Sequence, residues 1–216
     1  MEDFVNAWAY FLNRWEYLLE TLLDHFVLVV WATLIVILIG VPLGILISRA
    51  KKMQEIVLGT VGVLYTIPIL ALLGILITIM GIGTRSALLA LVIYGLLPVV
   101  RNTCVGINQV PEKTKEAALG MGANNLQLLM RVEIPLTFPV IFAGIRTAMV
   151  MTFSLATYAV FIGAGGMGRV IMQGIRTYNT GMLLAGIILV VIATVSLDRL
   201  IGYVDHRVKK RFSLVE

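Results

Sequence analysis

No aspartate, glutamate, lysine or arginine stands between Asp24 and Arg49, and the interval is apolar almost throughout. About 20 apolar residues of helix cross the hydrocarbon of a bilayer, so 26–47 predicts a membrane span. Comparable intervals follow at 56–80, interrupted by Thr66-Ile67-Pro68, from 84 onward, from Pro135 to about 162, and at 182–204. The uncharged part of the third, 86–100, is only about 22 Å long at the helical rise, so Arg101 is expected to snorkel toward one face. Gly40, Pro42 and Gly44 near the end of the first span allow a kink where neighbours satisfy the backbone. The expectation is an all-α, polytopic membrane protein with about five transmembrane helices, forming one domain over 1–216. Charged residues make up 13% of the chain, about half the share in soluble domains, in keeping with that class.

Five spans would place the termini on opposite sides. Eleven of the 17 lysines and arginines fall in three segments sharing one side: Arg49, Lys51 and Lys52; Arg101, Lys113, Lys115 and Arg131; and Arg207, Lys209, Lys210 and Arg211. The positive-inside rule makes that side cytoplasmic and puts the N-terminus outside. The net charge of +5 therefore reads as topology and not as affinity for nucleic acid. Residues 1–24 carry Phe4, Trp8, Phe11 and Trp15 on one helical face, with mainly acidic charges. They predict an extracytoplasmic helix at the membrane interface or, equally, an amphipathic start packed on other helices.

Several chemistries find no support. Cys104 is the lone cysteine, which excludes an internal disulfide and a zinc cluster, and His25 and His206 read as isolated interfacial polar residues. Met1-Glu2-Asp3 lacks the basic start of a cleaved signal peptide. Gly163-Ala164-Gly165-Gly166-Met167-Gly168 matches G-x-G-x-x-G, but that fingerprint needs a preceding strand in a soluble βαβ unit. Here a hydrophobic span precedes it, so a flexible turn is expected, leading into a short external helix from 170 to about 178 within the loop 163–180. No G-x-x-x-x-G-K-[ST] loop is present, so the chain is not expected to hydrolyse ATP.

The longest polar interval, 101–135, holds the most informative pattern. Pro111 is suited to opening a short helix, and Glu112 suits its positive end. Gly120 and Gly122 weaken continuation, and Asn124 or Asn125 can cap a second short helix through Leu126, Leu129 and Met130. A bent pair of short helices results. Glu116, Ala117, Ala118, Gly122 and Pro135 stand in the register Glu-Ala-Ala, three residues, Gly, then Ile-x-Leu-Pro, with Val132 and Ile134 as conservative replacements. This resembles the coupling loop of ABC importer permeases, and 108–134 is identified with it. The resemblance implies a cytoplasmic coupling helix docking into a groove on an ATPase, with Glu116, Ala117, Ala118, Gly120, Gly122 and Pro135 carrying the contact. The other reading of these residues is a cytoplasmic linker.

Further stretches narrow the likeness: 65–73, 97–103, 132–136, 143–147 and 161–168 resemble permeases of osmoprotectant importers, which carry glycine betaine, carnitine or choline. Met167 and Arg169 depart from the Leu and Asp frequent there. The resemblance implies a MetI-like fold in a bacterial cytoplasmic membrane, a second permease subunit (identical or paralogous), a pair of ATPases that bind the ATP, and an extracytoplasmic solute-binding protein. This chain then binds no cofactor of its own. It ends in a basic tail, 205–216, so the binding protein is expected to be a separate chain. Quaternary ammonium ions are selected by aromatic cages, a task the resemblance gives to the binding protein. Tyr65, Thr66, Pro68, Tyr94, Phe153 and Tyr158 are candidates for the translocation path, with packing as the alternative for the aromatics. Arg146 and Asp198 fall inside spans at similar depth. They are expected to pair, or else to snorkel and find other partners. Two alternatives remain: a related permease for an amino acid or amphiphile, and an ATP-independent channel or secondary transporter.

Overall fold

The computed structural model describes residues 2–211, with the side chains of Glu2, His206 and 208–211 outside the described set, so the basic tail expected at 205–216 lies largely beyond it. Among the described residues ten α-helices run in order: α1 Glu2–Asn13, α2 Trp15–Ser48, α3 Lys51–Thr66, α4 Ile69–Met80, α5 Thr84–Gln109, α6 Glu112–Gly120, α7 Asn125–Leu128, α8 Ile134–Leu155, α9 Gly168–Arg176 and α10 Thr180–Arg211. A π-helical turn, Leu129–Glu133, joins α7 to α8, and a 3-10 segment, Ala156–Ile162, extends α8. Among the described residues four helices are long and apolar enough to cross a membrane, and a fifth span results if α3 and α4 count as one. They meet at 98°, as Thr66-Ile67-Pro68 leads one to expect. Proline lacks the N–H to continue the ladder and biases the residue before it toward extended backbone. Ile67 is extended (φ −65°, ψ 125°), and the Tyr94 hydroxyl donates to its carbonyl, taking up a group that the break leaves free.

α5 is the central helix, packed against α2, α8, α3 and α4. Inside lipid, helices associate through close packing and not through burial from water, so small residues set the approach. On α2, Gly44 lies so near α5 that a Cβ would stand 2.6 Å from the Thr103 Cβ. Gly144 of α8 faces Asn102 and the Pro98 carbonyl of α5 at 2.7 and 2.8 Å by the same measure. The core between these helices holds Val29, Val36, Val99 and Phe153, all fully buried.

Three expectations are corrected. Residues 15–24 belong to α2, so the expected interfacial helix ends at Asn13, and Arg14 (φ −133°, ψ 25°) breaks the aromatic face. α1 lies along α10, with Ala7 buried and Gly181 against the Asn6 carbonyl, while Phe4 and Trp8 stay exposed. α5 runs on past Arg101 to Gln109, leaving Arg101 exposed on a continuing helix. The second arm of the polar interval is not a separate short helix: 125–162 is one continuous rod, so the loop ends directly in the span. The short helix expected after the glycine run does form, as α9, two residues earlier than expected. Contacts gather α1, Ile82, 163–167 and Gly181 at one end of the bundle, and Arg49 with 110–133 at the other.

Candidate functional site

The loop 110–133 stands out from the bundle. Pro111 (φ −57°, ψ 133°) is the N-cap of α6 and not its first helical residue. The helix stops at Met121 because Gly122 takes φ +89°, which residues with a Cβ avoid. The Ala123 N–H then donates to the Ala118 carbonyl and the Gly122 N–H to the Leu119 carbonyl, the paired bonds of a Schellman turn. Two residues on, Asn124 caps α7 by a reciprocal box with Gln127, both bonds 2.9 Å. The glycine and asparagine thus make a fixed elbow.

Glu116, Ala117 and Gly120 are exposed on α6. Ala118 is only 5% exposed, so it faces the chain itself and offers no surface to a partner, contrary to expectation. What the elbow presents instead is apolar: Met121 is 84% exposed and Leu126 68%, with Leu119 and Met130 beside them. Exposed apolar side chains grouped on a polar loop mark an interaction surface. Pro135 sits in the first turn of α8, just after the π turn.

A second feature of this end escaped sequence reasoning. The Arg49 guanidinium, at the C-cap of α2, holds both carboxylate oxygens of Glu133, one at 2.9 Å. The Glu133 side chain is fully buried. A bidentate guanidinium both neutralises and orients such a carboxylate.

The path candidates divide. Tyr65 and Tyr158 are exposed; Tyr65 donates to the Met151 sulfur at 3.4 Å and lies 5.5 Å from the Tyr94 ring, and Tyr158 stacks on Phe161. Thr66 and Pro68 lie at the break between α3 and α4, where the Thr66 hydroxyl donates to the Val63 carbonyl. Tyr94 is buried and holds the broken backbone. Phe153 is fully buried, its ring packed edge-on with His25 and Phe26, so it is a core residue and lines no path. Arg146 and Asp198 meet in a bidentate pair, both bonds 2.6 Å. The pair opens on a cavity of about 460 Å³ shared with Thr147, Met151 and Ser154 of α8. Pairing is what makes two charges tolerable at membrane depth.

His25 is fully buried and is no interfacial residue. The Met167 N–H donates to its Nδ1 at 3.2 Å, which leaves the proton on Nε2 to reach the Phe153 carbonyl at 2.8 Å. One neutral tautomer satisfies both bonds.

Residues 37–210 match the family described as the binding-protein-dependent transport system inner membrane component. The chain belongs to this family. It is similar to the glycine betaine/carnitine/choline transport system permease protein OpuCD of Bacillus subtilis strain 168, 36% identical over 95% of this chain and 90% of the relative. It is also similar to the osmoprotectant import permease protein OsmW of Salmonella typhimurium, 41% identical over 89% of this chain and 92% of the relative. Among solved structures, an inward-facing MetNI methionine ABC transporter superposes with a TM-score of 0.81 at 20% identity, covering 88% of this chain and 95% of that one. That likeness establishes a common fold.

The elbow at Gly122 carries the exposed apolar edge of Met121, Leu126 and Met130. Met121, Leu126 and Met130 were visible in the sequence as apolar residues in a polar interval, which was the signal available for that edge. Nothing local announced Arg49 as the partner of Glu133, 84 positions away.

Proposed function

We propose that this chain is the membrane-spanning permease subunit of an ABC importer that moves a quaternary ammonium osmoprotectant, such as glycine betaine, carnitine or choline. Similarity over almost the whole chain to permeases named for those solutes carries the reading. A solute-binding protein delivers the cargo on the outer side. A pair of cytoplasmic ATPases supplies the drive and binds the ATP, and a second permease subunit, identical or paralogous, completes the path. The N-terminus lies outside, and the loop 110–133 lies in the cytoplasm with the C-terminus, as the distribution of lysine and arginine favours.

The mechanism follows from continuity. ATP binding draws the two ATPases together and carries the docked elbow with them. Helix-in-groove docking uses a short helix with an apolar face, which Leu119, Met121 and Leu126 provide, while Glu116 meets a basic residue. Because 125–162 is continuous, displacement of the elbow moves α8, along which Thr147, Met151 and Ser154 lie, and the 3-10 segment that carries Tyr158. The broken span α3–α4 faces that stripe through Tyr65. Movement of one against the other opens the path alternately to either side.

Uptake into proteoliposomes holding permease, ATPase and binding protein tests the reading with radiolabelled glycine betaine, carnitine and choline. Uptake that requires ATP hydrolysis is the expected result. Uptake that persists without ATP or follows a proton gradient overturns it, and ATP-driven uptake of amino acids alone moves the chain to a different cargo.

A further inference from the structure

α2 is gripped at two places, its loop end and, inside the helix, His25. At the loop end, Arg49 holds Glu133, the last residue of the π turn that joins the elbow to α8. A buried carboxylate left without its cation is strongly unfavourable, so the two groups stay together whenever either moves. The π turn is where the helical register of the rod changes, a feature often met at functional sites. Pro135, just beyond it, has no N–H for the regular ladder, and the Ile134 N–H closes the π turn on the Leu129 carbonyl. Any shift of the elbow that reaches 129–133 therefore pulls on the end of α2 as well as on α8.

The second grip is His25, about 36 Å away along the helix and ten residues after its start at Trp15. Its two ring nitrogens bind two different parts of the far end: the Phe153 carbonyl, where α8 tightens into the 3-10 segment, and the Met167 N–H in the glycine loop. Gly166 packs against the ring so closely that a Cβ would stand 2.9 Å from Nδ1. Between the two grips α2 lies along α5, with Gly40 and Gly44 in close contact, and runs as one helix through Pro42.

We propose that α2 is a second transmission element beside α8, with Arg49–Glu133 as the positioning pair that takes motion from the ATPase-docking loop and His25 as the grip that delivers it to the 163–167 loop at the far end. The proposal rests on the reading that an ATPase docks at 110–133, and it adds a route that bypasses the substrate stripe of α8. The pair contacts neither cargo nor nucleotide.

Amide hydrogen exchange in the full permease–ATPase assembly, with and without ATP trapped by vanadate, tests it without reference to cargo. In the unaltered assembly, trapping changes exchange both in 111–128 and in 163–168. Glu133→Gln keeps the side-chain volume and removes the charge; it retains the response in 111–128 and loses the response in 163–168. His25→Leu loses the same far-end response. The reversed pair, Arg49→Glu with Glu133→Arg, restores it, which a merely structural loss at either position would not do. A far-end response that persists in Glu133→Gln overturns the proposal, and so does failure of the reversed pair to restore it. No response in 111–128 of the unaltered assembly overturns the docking reading itself, and the proposal with it.

Discussion

Gly122 separates two roles that a coupling loop can give a glycine: backbone freedom and space for a partner. Its φ of +89° is required by the turn, and a Cβ built there meets nothing within 4 Å in this chain. A substitution therefore acts through conformation and not through a clash within the subunit. The left-handed region costs a residue with a Cβ about 1–2 kcal/mol, least for asparagine and most for β-branched side chains. If the docked state needs the turn, Gly122→Val weakens ATPase binding by roughly 5–30-fold, the factor that corresponds to such a cost. Gly122→Ala falls between, and Gly122→Asn stays close to the unaltered protein. Titration of labelled ATPase subunit onto permease in nanodiscs reads these affinities directly. Asparagine as damaging as valine would show that the glycine provides space at the partner surface. Unchanged affinity for valine would refute the requirement for the turn.

Two further outcomes follow from the packing. Neutralising Arg146 or Asp198 alone impairs uptake or assembly in proteoliposomes, and Arg146→Gln with Asp198→Asn recovers part of the loss; no recovery would refute direct coupling through the observed pair. Gly44→Leu forces a side chain against Thr103 and the Val100 carbonyl and destabilises the α2–α5 contact by at least about 1–3 kcal/mol, read as a lower melting temperature in detergent. Gly74→Ala, which meets nothing within 4 Å, leaves the melting temperature unchanged or higher.

The spans were legible because uncharged apolar intervals long enough for a bilayer admit little besides helix, and Pro68 marked the break in the second. The elbow was legible for a local reason too: Gly122 and Asn124 determine their turns through their own backbone and side chain. Properties set by distant packing were not. Phe153 and Tyr158 look alike in the sequence, yet one is core and the other exposed: five residues apart on a helical rod they point to different faces, and only the packing of neighbouring helices decides which face is buried. The burial of His25 depends on neighbours far along the chain, Phe153 and Met167. Arg49 and Glu133 each sit among other charges, and only the folded approach of α2 to the π turn selects one for the other. Arg146 and Asp198 were easier, since antiparallel spans and helical rise alone bring them to one depth.

The central claim is that an ATPase drives this subunit through the elbow, and Met121 is the place to test it. In a Cys104→Ala background, Met121→Cys is the most solvent-exposed position of the loop's apolar edge. Cysteines placed in turn along the groove of the partner ATPase are then oxidised in the assembled transporter, and ATP-driven uptake is measured before and after reduction. The account predicts a disulfide between Met121→Cys and the ATPase, uptake abolished while it persists, and uptake regained on reduction. An elbow that forms no disulfide at any groove position while uptake proceeds normally would contradict it.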